Sequence, residues 1–143
     1  MKIQYLCIPL ITICLFGCTS APENPGPDLV LPPCGALPNC VNSHSGKGGS
    51  AIAPLHATAG QWLELKQWLA TQDNWTIQVE AAYFVQTIVK TPLLRFRDDV
   101  QLLYNPQTGV IQVRSSSRLG ISDMGANRSR VESLRAHLSL EAD

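Results

Sequence analysis

Arginine, serine and aspartate side chains are concentrated in one stretch near the C-terminal end, from Val113 to Arg130, which reads VRSSSRLGISDMGANRSR. Four arginines and five serines fall within it. Closely spaced arginines bind phosphate and carboxylate groups, and they also form ion pairs with neighbouring aspartates. A serine hydroxyl becomes a nucleophile when a general base lies beside it. The stretch therefore has three interpretations: an anion-binding site, an internal ion-pair network or a serine hydrolase.

An anion-binding site would be built around Arg114, Arg118 and Arg128. Ser117, Ser122 and the N–H groups at the start of the following helix would add neutral donors, because a helix N-terminus favours negative charge. The ligand would be a lipid phosphate, a lipopolysaccharide phosphate or a peptidoglycan carboxylate. We favour the rival interpretation, in which aspartates neutralise the arginines, since structural ion pairs often imitate functional ones. Both interpretations use the same residues: Asp98, Asp99, Arg114, Ser115, Ser117, Arg118, Asp123, Asn127 and Arg128.

A serine hydrolase would require Ser115, Ser116 or Ser117 to lie beside His56 or His137. The chain has no G-x-S-x-G motif, which presents the nucleophile in many hydrolases. No feature of the sequence brings a base to these serines. We therefore predict a non-enzymatic protein with no catalytic residues, no cofactor and no bound metal.

Two helices and four strands are predicted to position this stretch. Apolar residues recur at helical spacing from Ala57 to Ala70, and again after a helix start near Ser122 or Asp123. The first stripe consists of Trp62, Leu65 and Leu69, widened by Leu63 and Trp68, and the second of Asn127, Val131, Leu134 and Leu138. The predicted strands are Thr76 to Glu80, Tyr83 to Thr91, Arg95 to Tyr104, and Val110 to Ser116. Short connections predict an α+β fold, a four-stranded antiparallel meander packed with an N-terminal and a C-terminal helix.

The apolar faces of the last two strands predict how these strands pair. These faces consist of Phe96, Val100, Leu102 and Tyr104 on one strand, and of Ile111 and Val113 on the next. Both faces meet the core only if Tyr104 lies opposite Ile111 and Leu102 opposite Val113. A shift of the pairing by one residue would turn one of the two apolar sets toward solvent.

The same pairing places two aspartates beside the arginine-rich stretch. It puts Asp99 opposite Ser116, diagonal to Arg114, and Asp98 opposite Ser117 on the core face. An inward carboxylate is costly unless it is paired or hydrogen-bonded. We expect the partners of Asp98 to be Ser115, Ser117 and Arg118.

The N-terminus is typical of a bacterial lipoprotein. Residues 1–17 combine Lys2, an apolar run and a small-residue exit, as a secretory signal does. The run ends in Leu15-Phe16-Gly17-Cys18, which resembles a lipobox and predicts a lipid on Cys18. An ordinary signal peptide and an uncleaved anchor are the alternatives. Residues 18–33 form a Pro-rich tether to a domain at 34–143.

The residue after the acylated cysteine predicts where the protein is held. Thr19 stands where an aspartate would indicate retention in the inner membrane. We therefore expect the outer membrane, with the domain facing the periplasm and meeting an envelope protein, lipid or glycan. A purely structural or assembly role is equally compatible with the sequence.

Two cysteines remain in the domain, Cys34 and Cys40. An even pair in an oxidising compartment predicts a disulfide. The alternative is a metal site that adds His44 and His56. That site lacks a second closely spaced pair of ligands, so we favour the disulfide.

Composition sets the broad class of the protein. Its 143 residues, 45% of them hydrophobic and 15% charged, are typical of one globular domain. The net charge is zero. General nucleic-acid binding is therefore not expected, since it normally requires a basic excess.

The chain resembles the family called domain of unknown function 1499 (DUF1499). The resemblance rests on Cys34, Asn39-Cys40-Val41, Pro54-Leu55, Arg95-Phe96-Arg97-Asp98-Asp99-Val100, the run from Val113 to Asp123, the run from Gly125 to Arg130, Glu132 and Leu134-Arg135. It spans roughly residues 34–138. The resemblance implies a protein of the cell envelope, often lipid-anchored, and it brings no established activity and no catalytic residues.

Overall fold

A computed structural model describes residues 29–92 and 95–140 of the chain. The predicted signal segment 1–17, Cys18 and the tether up to residue 28 lie outside the described residues. The elements are β1 (Cys40–Asn42), β2 (Leu55–His56), α1 (Ala59–Thr71), β3 (Trp75–Glu80), β4 (Phe84–Lys90), β5 (Arg97–Asn105), β6 (Val110–Ser117) and α2 (Ala126–Leu140). The fold is α+β. Within the described ranges, neither helix has the length and hydropathy that a bilayer span requires.

The strands form one six-stranded, mostly antiparallel sheet in the order β1-β6-β5-β4-β3, and β2 also pairs with β6. The prediction of four strands was therefore incomplete. β1 and β2 contain three and two residues, which is too short for alternation of apolar and polar residues to appear. Their pairing with β6 covers the edge that a four-stranded sheet would have left open.

The predicted pairing of β5 with β6 is confirmed. Tyr104 lies opposite Ile111, and Leu102 lies opposite Val113. One member of the predicted apolar face was wrong, because Phe96 precedes β5 and is exposed. The chain reaches the buried face only once the strand has begun.

Both helices pack on one face of the sheet, around a single apolar cluster. Trp62, Leu65 and Leu69 of α1 are buried there, as predicted, whereas Leu63 is exposed and does not widen the stripe. Thr58 caps α1, because its side-chain oxygen accepts a hydrogen bond from the N–H of Gln61. Each fully buried aliphatic side chain of such a cluster contributes about 1.5–3 kcal/mol.

Helix α2 begins later than its sequence predicts. The expected start was near Ser122 or Asp123, but the helix starts at Ala126. Met124 and Gly125 both adopt positive φ, 52° and 84°, which interrupts helical geometry between the cap and the first turn. The predicted stripe of α2, with Asn127 as its polar member, is buried against the sheet.

Candidate functional site

The sequence-predicted polar residues converge at one end of the sheet, which we call the polar corner. It comprises the start of β5, the end of β6, the turn at 118–125 and the first turn of α2. The register there is the predicted one, since Asp99 lies opposite Ser116 and Asp98 opposite Ser117. Period-two geometry sends the two aspartates to opposite faces of the sheet. Each aspartate therefore meets different partners.

Asp99 is paired with Arg118 on the face away from the helices. Arg118 donates from Nε to one carboxylate oxygen and from Nη2 to the other, each at 2.8 Å. Two parallel bonds of this kind match the guanidinium fork to the carboxylate. The carboxylate is almost fully buried, while the side chain of Arg118 is 37% exposed. Arg118 therefore neutralises the charge of Asp99.

Asp98 points toward the helices, and its partner is Arg130 of α2. Arg130 Nη2 lies 2.6 Å from Asp98 Oδ2, with side-chain exposures of 10% and 2%. The prediction that Ser115, Ser117 and Arg118 would bind Asp98 was wrong, because these side chains bond to Asn127, Arg130 and Asp99 instead. A guanidinium supplies the full positive charge that a buried carboxylate needs, whereas a hydroxyl does not.

Asn127 connects the sheet end to the helix start. Its side chain is fully buried. Its carbonyl oxygen accepts from Ser115 Oγ at 2.7 Å and from Arg130 Nη1 at 2.6 Å. Its amide nitrogen lies within hydrogen-bond distance of three acceptors: the main-chain oxygen of Asn39 at 2.9 Å, Ser117 Oγ at 3.1 Å and Asp123 Oδ2 at 2.6 Å. Its polar groups are thus satisfied within the protein, as a buried amide requires.

Asp123 caps the start of α2. Its carboxylate accepts hydrogen bonds from the backbone N–H groups of Gly125 and Asn127, at 3.0 and 2.9 Å. Burial by itself would raise the pKa of Asp123. The hydrogen bonds from Asn127 and Gly125 outweigh that effect, and the pKa of Asp123 is lowered. Asp123 is therefore held as a carboxylate at the positive end of the helix.

Arg114 lies on the sheet face away from the helices and is buried. Its Nη1 donates to Ser116 Oγ at 2.8 Å, while its buried Nε has no hydrogen-bond partner within the described residues. Burial lowers the pKa of Arg114, and the nearby charge of Asp99 partly opposes this. Arg114 thus shares the charge of Asp99 with Arg118 and does not reach the helix start.

Arg128 and Arg135 lie two turns apart on one face of α2, and both hold the segment before β2. Arg128 Nη2 donates to the carbonyl oxygens of Gly49 and Ala51, at 3.0 and 2.6 Å. Arg135 donates to those of Ala53 and Pro54. These four bonds join α2 to the chain between residues 49 and 54.

A cavity of about 500 Å³ opens beside Arg128, between the disulfide loop, the turn at residues 47–50 and the start of α2. Two cationic residues, Lys47 and Arg128, line it, together with the carboxylate-bearing Asp123. Within the described residues, neither cation has a carboxylate within 4.0 Å. The cavity therefore contains positive charge that is not cancelled by an ion pair.

The three serines considered as nucleophiles, Ser115, Ser116 and Ser117, are engaged in the polar corner. Ser115 is fully buried and bonds to Asn127 and Arg130, and Ser116 accepts from Arg114. The histidines named as possible bases lie elsewhere. His56 pairs with Val110 at the other end of β6, and the ring of His137 stacks on Trp68 with centroids 4.3 Å apart.

The predicted disulfide joins Cys34 and Cys40. It removes both thiolates from the alternative metal site with His44 and His56. Within the ranges that the structure covers, no three His, Cys, Asp or Glu side chains are grouped closely enough to hold a metal ion. The disulfide instead joins the incoming chain to the first residue of β1.

Residues 30–138 match the family described as protein of unknown function (DUF1499). The chain belongs to this family. The matched range contains the whole polar corner, the cavity beside Arg128 and the disulfide. No curated protein and no solved structure matches the chain.

Two residues of this DUF1499 protein were missed by sequence reasoning about its site. Arg130 follows Asn127 by three positions, so helical spacing could have placed it beside the buried amide and over the sheet. Lys47 carried no comparable signal. Its position in the cavity depends on the fold of the turn at residues 47–50, for which the sequence shows no periodic pattern.

Proposed function

We propose that this protein is a lipid-anchored, non-enzymatic module of the bacterial cell envelope, in which the polar corner is architecture. The observation that supports the architectural role is that each buried aspartate has its own arginine. Arg118 pairs with Asp99, and Arg130 pairs with Asp98. The positive charge of an arginine paired in this way is largely compensated by the aspartate, so it attracts an anionic ligand only weakly. The corner thus holds the sheet end against α2.

The anchor follows from the N-terminal sequence. A lipobox-like exit precedes Cys18, and acyl chains on that cysteine would hold the tether and domain at the outer membrane, facing the periplasm. The arrangement of the serines supports a non-enzymatic role, because Asn127 and arginines occupy the positions that a general base would need. The partner is then an envelope protein, a lipid or a glycan.

Metabolic labelling with palmitate tests the anchor directly. Wild-type protein expressed in a Gram-negative host should incorporate the label and fractionate with the outer membrane. The Cys18→Ser variant should incorporate none. Mass spectrometry of the mature N-terminus supplies the decisive reading, and an unmodified Cys18 in the wild-type protein would refute the anchor. Labelling of the purified protein by a fluorophosphonate probe would refute the non-enzymatic role.

A second function, anion binding, is favoured by the cavity beside Arg128 rather than by the corner itself. Lys47 and Arg128 line the cavity without a carboxylate partner, and the start of α2 adds a favourable dipole. Asp123 faces the same space and would weaken binding, although its charge is partly compensated by the helix N–H groups. The ligand class is a phosphate or carboxylate.

Calorimetric titration with inorganic phosphate and with glycerol phosphate tests this second function. The chain offers a matched control, because Arg128 and Arg135 both donate to main-chain carbonyls of the same segment, whereas only Arg128 lines this cavity. Arg128→Met should weaken binding at least several-fold, and Arg135→Met should leave it unchanged. Equal losses in both variants, or no binding by the wild type, would refute the site.

A further inference from the structure

Large apolar side chains project into solvent at one end of the molecule. They are 44% to 99% exposed, and we call them the apolar tip: Leu37, Phe96, Leu119, Ile121 and Met124. Three of the five fall within the six residues from Leu119 to Met124. Single exposed apolar residues are ordinary, but a group at one end marks an interaction surface.

The hydrogen bonds of the loops show that these residues share one end of the sheet. The N–H of Arg118 donates to the main-chain oxygen of Arg97, which joins the turn after β6 to the chain around Phe96. Asn39 Nδ2 donates to the oxygen of Gly120 at 2.8 Å, which joins that turn to the disulfide loop containing Leu37. The loops that bear the tip are therefore linked to one another.

Met124 combines an unusual backbone conformation with an exposed side chain. Met124 has φ of 52°, in the left-handed region that non-glycine residues seldom adopt, and its side chain is 99% exposed. Gly125 follows with φ of 84°. The turn thus presents a flexible, apolar methionine to the outside, which is a side chain suited to irregular and adaptable surfaces.

Four exposed cationic residues lie at the same end as the tip. Arg95, Arg97, Lys47 and Arg128 lie at this end, and all four are exposed. The acidic residues of the polar corner are buried and paired, or cap α2. One exposed carboxylate, Asp73, also lies at this end, but it precedes the edge strand β3, two strands away from β5. Exposed apolar side chains accompanied by exposed cations are typical of proteins that lie at an anionic membrane interface.

The tether is short enough to keep the whole domain close to the membrane. If Cys18 is acylated, residues 18–28 are the only chain between the lipid and the first described residue, Leu29. Eleven residues reach at most about 40 Å when fully extended. A domain of this size has a radius of gyration of roughly 13 Å. Any side of the domain can then reach the bilayer, and short tethering keeps the local lipid concentration high.

We propose that the apolar tip inserts into the headgroup region of the anionic membrane that holds the lipid anchor, with the exposed cations of the same end facing lipid phosphates. This inference rests on the proposed acylation of Cys18. It assigns an orientation to the domain, with the end bearing the polar corner toward the lipid and the hairpin between β5 and β6 away from it. A second copy of the chain or a protein partner would leave a different experimental signature.

Lipid quenching of a fluorescent label tests the orientation in the mature, full-length lipoprotein. In that form Cys18 is acylated and Cys34 is bonded to Cys40, so an introduced cysteine is the one free thiol. Met124→Cys and Gln107→Cys would each carry an environment-sensitive dye, the second in the exposed turn at the opposite end. The proteins would be reconstituted into vesicles of phosphatidylethanolamine and phosphatidylglycerol containing nitroxide-labelled lipid.

The dye at position 124 should be quenched several-fold more than the dye at position 107. Adding Ile121→Asp should lower that quenching, and so should replacing phosphatidylglycerol by phosphatidylcholine. Because Ile121 is exposed, urea unfolding should show that this variant stays folded. Equal, weak quenching at both positions in acylated protein would overturn the insertion while leaving the anchor intact.

Two other outcomes separate the alternatives. A blue shift of the dye at position 124 that appears without lipid and grows with protein concentration would overturn membrane insertion in favour of self-association. Mass spectrometry of the same preparation shows whether Cys18 is acylated. An unmodified Cys18 would overturn both the proposed anchor and the orientation that rests on it.

Discussion

Replacing Arg130 by methionine should remove a large part of the stability of this protein. The change leaves Asp98 buried without a counter-charge, since the carboxylate is 2% exposed and its second oxygen, Oδ1, has no hydrogen-bond partner among the described residues. It also removes the donor to Ser115 and Asn127. Breaking a buried ion pair on one side costs about 3–5 kcal/mol. Domains of this size are stabilised by about 5–15 kcal/mol.

Urea unfolding monitored by tryptophan fluorescence measures this loss. Glu132→Gln is the matched surface control, because it breaks the exposed pair with Arg135 and should cost less than about 1 kcal/mol. The double variant Asp98→Asn/Arg130→Met should recover much of the loss, since no charge is then left buried without its partner. If Arg130→Met costs no more than Glu132→Gln, or if the double variant is no more stable than the single one, the ion pair does not hold the corner.

Three further predictions concern the loops and the cap around the site. Gly46→Ala should cost roughly 1–3 kcal/mol because its Cβ would overlap the main-chain oxygen of Asn42, whereas Gly49→Ala, whose Cβ meets nothing within 4 Å, should be nearly neutral; urea unfolding distinguishes them. Cys34→Ser should cost about 2 kcal/mol, because the disulfide closes a short loop, and reductant should lower the stability of wild type but not of the variant. The pKa of Asp123 is lowered in the folded state, so its contribution to the free energy of unfolding is fully present above its unfolded pKa of about 3.9. That contribution is lost as the pH falls through the folded pKa. The stability difference between wild type and Asp123→Asn should therefore shrink in acid, and a difference independent of pH would contradict this.

The sheet could be predicted where alternation of side chains was long enough to set its register. The apolar residues of β5 and β6 face the core in only one pairing, and that pairing is the one observed. The same argument placed Asp98 and Asp99 correctly on opposite faces. It could not find β1 or β2, because strands of three and two residues show no period, and their pairing depends on tertiary contacts with β6.

The partners in the site were harder to predict than the positions. Register places residues within a sheet, but it says nothing about which helical side chain will lie above them. Arg118 is near both aspartates in the pairing, and only the direction of its side chain assigns it to Asp99. Arg130 reaches Asp98 because α2 lies at one particular position along its own axis relative to the sheet end. This axial position depends on how the whole helix packs, which local sequence does not encode.

The buried amide of Asn127 gives a physical reason why α2 has only one favourable axial position on the sheet. Apolar packing of α2 against the sheet tolerates small shifts, because aliphatic side chains have no directional bonds. A slide of one helical turn, about 5.4 Å, would leave the amide of Asn127 unpaired in the core and separate Arg130 from Asp98. Unpaired buried polar groups cost more than paired ones contribute. The polar corner therefore fixes one position of α2 on the sheet. That position also determines the geometry of the cavity and the apolar tip beside the helix start.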